Sequence, residues 1–246
     1  MLCTPVGARL LAEYAEELRG RVGIQLQLTQ GVPCVSREWI PTLLTRRGAL
    51  PDQRSEIQTP RAEEIEIEWR AQVERFCETG LTPTHINTHH HVHKDPEAFS
   101  AYCRIALAFG VPARSCGPAM TRRLSAAGIG CPDTFVDGWT EKQCSVESLI
   151  SCVESALGRS GEAESVEVVC HPGYYDPELE GKTPLVEKRL EELAVLCDPQ
   201  LIKHLGLRGI ALANWPILSA GIAEGSRPGE SGESHWETKA AGRAIT

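Results

Sequence analysis

The residues best able to do chemistry in this 246-residue sequence form one run, Thr84-His85-Ile86-Asn87-Thr88-His89-His90-His91-Val92-His93. Five of the eight histidines fall between positions 85 and 93. Neutral imidazole is the commonest side-chain ligand for divalent metals, so a run of this density points to metal chemistry. In an extended chain successive side chains alternate faces. His85, Asn87 and His89 then share one face, and His91 and His93 keep the same parity if the strand continues. At the C-terminal end of a strand, such a row projects where α/β enzymes keep their reacting groups. The alternative is a polar histidine-rich loop that binds nothing.

A second group is Cys170-His171-Pro172-Gly173-Tyr174, which follows the apolar run 166–169. A histidine at a strand end, ahead of a Pro-Gly turn, is held rigidly. It is well placed as a general acid or oxyanion partner. Here the alternative is a turn with an incidental histidine.

The elements that must position these groups are legible from their starts. Thr59-Pro60, Asp95-Pro96, Thr183-Pro184 and Asp198-Pro199 each set a capping side chain before a proline at the first helical position. The helix after Thr59 is expected to reach Gly80, with Ile65, Trp69, Val73 and Phe76 as its apolar stripe. The helix after Pro96 should stop at Gly110. Further helices are expected over 8–20 and 145–158, and one after Pro184 with Val186, Leu190, Leu193 and Cys197 on one side. Strand signals fall between them, at 22–28, 83–89, 111–115, 166–171 and 209–215. Strands separated by helices read as parallel βαβ units, so the class is an α/β layer or barrel. From Ser219 onward the chain is rich in Gly, Ser and Glu and reads as a mobile tail.

Composition narrows the partners. The formal net charge of -8 argues against nucleic acid and against an anionic membrane surface. No apolar run approaches the roughly 20 residues a membrane span needs. The first twenty residues lack a basic region followed by an apolar core, so no signal peptide is expected and the expected compartment is cytoplasmic. The ten cysteines include no C-x-x-C pair, which makes a cysteine zinc site a poor expectation and free thiols the preferred reading.

Taken together, the two motifs resemble those of the YdjC/ChbG-like (HpnK-like) carbohydrate deacetylases. Residues 84–93 are similar to that family's T-H-x-D-S-H-x-H-x-H motif. Residues 170–174, with Asp176, Leu179, Arg189, Glu192 and Leu193, resemble its H-P-G-Y-x-D-x-x-L block and R-x-x-E-L helix. Residues 22–31 resemble its G-L-H-L-x-L-T-x-G strand, and 209–212 its closing G-I-x-L strand. The resemblance implies a TIM-like (β/α) barrel of the polysaccharide-deacetylase type. It implies metal-dependent removal of N-acetyl groups from amino sugars such as chito-oligosaccharides, with a divalent ion of the magnesium or zinc class. In that family the metal sits on one Asp, from an N-A-D-D-F-G motif, and on two His.

The sequence departs from this pattern. It contains no N-A-D-D-F-G motif and starts beyond it, so the expected barrel lacks its first strand and spans 1–218, with the tail at 219–246. An open edge of that kind exposes unpaired backbone groups and favours association into a homo-oligomer. The resemblance places catalytic roles at His171 and at Asn87, which replaces the family's Asp. It places metal ligation at His89 and at Gln25, which replaces a His, and substrate contact at His91 and Tyr174. A neutral amide is a weak donor for a transition metal and takes no proton at neutral pH. Two readings follow: a deacetylase with weakened chemistry acting on a small amino sugar or oligosaccharide, or a non-catalytic sugar- or partner-binding protein on the same barrel.

Overall fold

The computed structural model describes residues 5–57, 59–139, 143–159, 163–177, 186–221 and 243–245. The chain divides into two compact units, Met1–Cys131 with Asn214–Pro228, and Pro132–Ala213 with Gly229–Thr246.

The first unit opens with α1 (Pro5–Glu13) and α2 (Ala15–Leu18), then β1 (Ile24–Leu26). A long loop containing short 3-10 turns leads to α3 (Ala62–Cys77), β2 (Ile86–Thr88), α4 (Pro96–Phe109) and α5 (Pro118–Ala126). β1 and β2 pair in parallel, with Ile24 opposite Ile86, Gln25 opposite Asn87 and Leu26 opposite Thr88. Ile86 also bridges in parallel to Ala113, all that forms of the strand expected at 111–115. The expected stripe of α3 is the core: Ile65, Trp69, Val73 and Phe76 are buried against Ile24, Leu26 and Leu28.

Polar side chains are buried beside that stripe. Glu64, Glu68 and Gln72, spaced four apart on α3, clamp the long loop. Glu68 accepts the backbone N–H groups of Cys34 (2.9 Å) and Val35 (3.2 Å) and an amide hydrogen of Gln72. Gln72 exchanges hydrogen bonds with the backbone of Gln27, and Glu64 takes both the N–H and the hydroxyl of Thr42. This explains why Thr59 is not the α3 cap. The helix begins at Ala62 with Arg61 at its N-cap and no side-chain cap, and the N–H of Arg61 is satisfied by the Thr42 hydroxyl instead. Asp95 behaves as expected, accepting from the N–H groups of Glu97 and Ala98, and α4 ends at Gly110 in a left-handed conformation that glycine adopts without strain.

The second unit contains β3 (Thr134–Val136), α6 (Val146–Arg159), β4 (Ser165–Val168), α7 (Val186–Leu196), α8 (Pro199–Gly206), β5 (Ile210–Leu212) and β6 (Arg243–Ile245). Its sheet runs β3-β4-β6-β5, every pair parallel. Asp198 caps α8 through the N–H of Gln200. Thr183, Pro184 and Leu179 lie outside the described residues. So does most of the expected tail; its described residues Arg243–Ile245 form β6, hydrogen-bonded to β4 on one side and β5 on the other. At three residues the run is too short to be legible as a strand, because its backbone ladder and not a side-chain pattern defines it. The α/β class with parallel strands stands; two small sheets are what the described residues form.

Candidate metal centre and active site

The histidine run does not continue as a strand. β2 stops at Thr88, and His89–Lys94 form a 3-10 turn in which His90 (φ 53°) and His91 (φ 50°) are left-handed. Left-handed backbone costs a non-glycine residue on the order of 1–2 kcal/mol, so two in succession are held there by their surroundings. The parity expected for an extended row is therefore broken, and the histidines sort into three separate environments.

His85 comes first in the run. Its ring stacks on Trp215 with centroids 4.1 Å apart, and it packs against Gly23, where any Cβ would collide with the ring. Burial, with Arg114 nearby, pushes its pKa down to about 3. His89 and His90 stack with centroids 3.8 Å apart. Both meet the hydroxyl of the buried Thr29, at 2.9 Å from His89 Nδ1 and 3.2 Å from His90 Nδ1.

His91 and His93 turn to another partner. Cys116 Sγ lies 3.5 Å from His91 Nδ1 and 3.3 Å from His93 Nε2, and the three donor atoms all lie within 4.8 Å of one another. This group could hold a metal ion. His93 is fully buried, stacked on Tyr102 at 4.6 Å, and its Nδ1 meets the Thr88 hydroxyl at 2.5 Å. Burial first, then His91, Arg114, Lys94 and Arg54, lowers its pKa to about 3, so its imidazole is neutral. Cys116 was not a sequence candidate, because it follows His93 by more than twenty residues and belongs to no Cys-x-x-Cys pair. The parallel bridge of Ile86 to Ala113 brings the two chain segments side by side.

The replaced positions sit on the sheet. Gln25 and Asn87 are cross-strand partners, and the buried Asn87 Oδ1 has no hydrogen-bond partner. Gln25 also lines a cleft of about 510 Å³ walled by Leu10, Leu11, Tyr14 and Phe76. In the second unit, the His-Pro-Gly turn is pinned by α7: the Glu192 carboxylate accepts the N–H of His171, and the Arg189 carbonyl accepts that of Gly173 at 3.1 Å. The indole N–H of Trp139 donates to the Val169 carbonyl at 3.2 Å, holding the strand end before it. The His171 and Tyr174 side chains are exposed, Tyr174 by 81%.

Comparison with known proteins adds to this geometry. The model of a family described as YdjC-like protein matches residues 1–205. A carbohydrate deacetylase of Geobacillus stearothermophilus is 36% identical over 208 residues, covering 85% of this chain and 79% of that protein. A carbohydrate deacetylase of Vibrio cholerae serotype O1 strain O395 is 30% identical over 210 residues, covering 85% and 78%. Among solved structures, an Enterococcus faecalis V583 protein described as a cellobiose-phosphate cleavage protein superposes with a TM-score of 0.77 at 26% identity, covering 89% of this chain and 85% of its own. No described helix is long and apolar enough to cross a membrane.

Proposed function

The chain belongs to the YdjC-like family, and on that premise we propose that it is a carbohydrate deacetylase-like hydrolase whose substrates are N-acetylated amino sugars of the chito-oligosaccharide class. The observation that carries this reading is the 36% identity to a carbohydrate deacetylase across 85% of the chain. Parallel pairing of every described strand supports a TIM-like barrel as the family's architecture.

Amide hydrolysis needs an activated water and a stabilised tetrahedral oxyanion, and a magnesium- or zinc-class ion supplies both when bound. The residues at the positions implied by the resemblance do not fit such an ion. Gln25 is a neutral amide, Asn87 replaces the adjacent carboxylate, and His89 is the one imidazole left. A catalytic metal is normally held by three protein ligands.

The remaining groups have roles of their own. His171, its backbone fixed by Glu192, is the general acid that protonates the leaving amine. Asn87, with its unsatisfied carbonyl oxygen, orients a donor on substrate or water but takes no proton. Exposed Tyr174, in the second unit, offers a sugar ring a flat face, and His91, in the first, offers a polar group a hydrogen-bonding edge.

A second reading, a sugar-binding protein without turnover, is favoured by the paired amides at 25 and 87. Calorimetric binding of N,N′-diacetylchitobiose, measured beside acetate release, separates the two. Binding with slow release supports the deacetylase-like reading, binding with no release assigns the second, and absence of binding overturns both.

A further inference from the structure

We propose that His91, His93 and Cys116 form a metal site for a zinc-class divalent ion, at a position other than that of Gln25 and His89. It does not depend on the deacetylase reading, since it concerns binding rather than turnover.

The spacing matches coordination. Zinc–sulfur bonds of about 2.3 Å and zinc–nitrogen bonds of about 2.0–2.1 Å at tetrahedral angles separate the two donor atoms by about 3.5 Å. Here Sγ stands 3.5 Å from one imidazole nitrogen and 3.3 Å from the other. The two imidazole nitrogens stand within 4.8 Å of each other, so binding one ion needs the His91 and His93 rings to close on it by roughly an ångström.

The surroundings are those of a prepared ligand set. The Thr88 hydroxyl lies within hydrogen-bond reach of His93 Nδ1 and can accept an N–H there, the tautomer in which the Nε2 lone pair faces Cys116. The Tyr102 ring, anchored by its own hydroxyl donating to the Ile86 carbonyl at 2.8 Å, fixes the plane of the His93 imidazole. His91 reaches the site only because His90 and His91 are left-handed, so the backbone strain in the turn is tied to this convergence. His91 and Cys116 are half-buried, leaving an approach for the ion and for a fourth ligand.

The donor types choose the metal. A thiolate with two imidazoles selects borderline-soft ions such as zinc or cobalt(II), whereas magnesium prefers oxygen. On binding, the Cys116 S–H bond breaks, a sulfur–metal bond forms, and the proton leaves to solvent.

The test is titration of the chelator-treated chain with cobalt(II), followed by thiolate-to-cobalt charge-transfer absorption. A single equivalent should generate the band. Cys116→Ser should abolish it, Thr88→Val should weaken binding by about 10- to 100-fold, and His89→Gln should leave the band in place. In the unaltered chain, zinc but not magnesium should protect Cys116 from iodoacetamide, read by peptide mapping, which keeps the proposal open to refutation if the variants do not fold. The proposal is overturned by absence of the band, by its loss in His89→Gln with survival in Cys116→Ser, or by Cys116 alkylation that zinc does not slow. That last result would mark Cys116 as a thiol beside two imidazoles and nothing more. Acetate release is not part of the readout, so its absence leaves this result intact.

Discussion

Gln25 and Asn87 face each other across the β1–β2 pair, in register, one residue in from the ends of both strands. At these two positions the family resemblance implies a metal-binding histidine and a carboxylate. Two neutral amides side by side hold neither a cation nor a proton at neutral pH.

Restoring both should therefore raise turnover more than restoring either. For Gln25→His with Asn87→Asp we expect acetate release from diacetylchitobiose to rise about 100-fold or more over the chain as it stands, the lower end of what a positioned base contributes. Each single change should do little, because residues that act as a unit are not additive. Equal rates for the double variant and the unaltered chain would show that these positions do not limit the reaction.

The clamp on α3 yields a stability prediction. Glu68 is buried and accepts three hydrogen bonds from loop and helix, and burial raises its pKa against the lowering effect of those bonds. Glu68→Ala strands buried N–H groups and should cost on the order of 3 kcal/mol in urea unfolding. Glu68→Gln keeps one acceptor and should cost less.

Glu192 is a positioning residue. Glu192→Ala leaves the His171 N–H without its acceptor and should destabilise the chain by about 1–3 kcal/mol. It should also lower kcat for acetate release with KM little changed, if His171 acts only after the substrate is bound. Glu192→Gln should recover most of the loss in both measurements.

His85 sets a pH dependence. Its pKa falls from the ordinary 6.5 to about 3, mainly through burial. Between these values the unfolded chain binds a proton that the folded chain refuses. The stabilisation is complete above pH 6.5 and is lost as the pH falls toward 3, so melting temperature should decline through that window. His85→Phe, which keeps a ring to stack on Trp215, should flatten the decline.

β6 supplies the last prediction. Deleting residues 243–246 removes the strand between β4 and β5 and leaves both with unpaired backbone groups. The melting temperature should drop by several degrees, and an unchanged value would return this segment to the role of a tail.

What could be read from sequence alone was local or inherited. Asp95 and Asp198 cap their helices because a carboxylate and a following proline act within one turn of chain. The α3 stripe reads correctly because a 3.6-residue period depends only on near neighbours. The family is legible because two motifs keep their order and spacing. Tertiary structure decided the rest. Glu64, Glu68 and Gln72 are buried only because the loop that needs their hydrogen bonds is folded over them. β6 exists only through its two neighbours. Cys116 meets His91 and His93 because β2 and the segment at Ala113 run parallel, with α4 as the crossover between them. A parallel crossover aligns the C-terminal ends of segments far apart in the chain, and no spacing rule within the sequence carries that information.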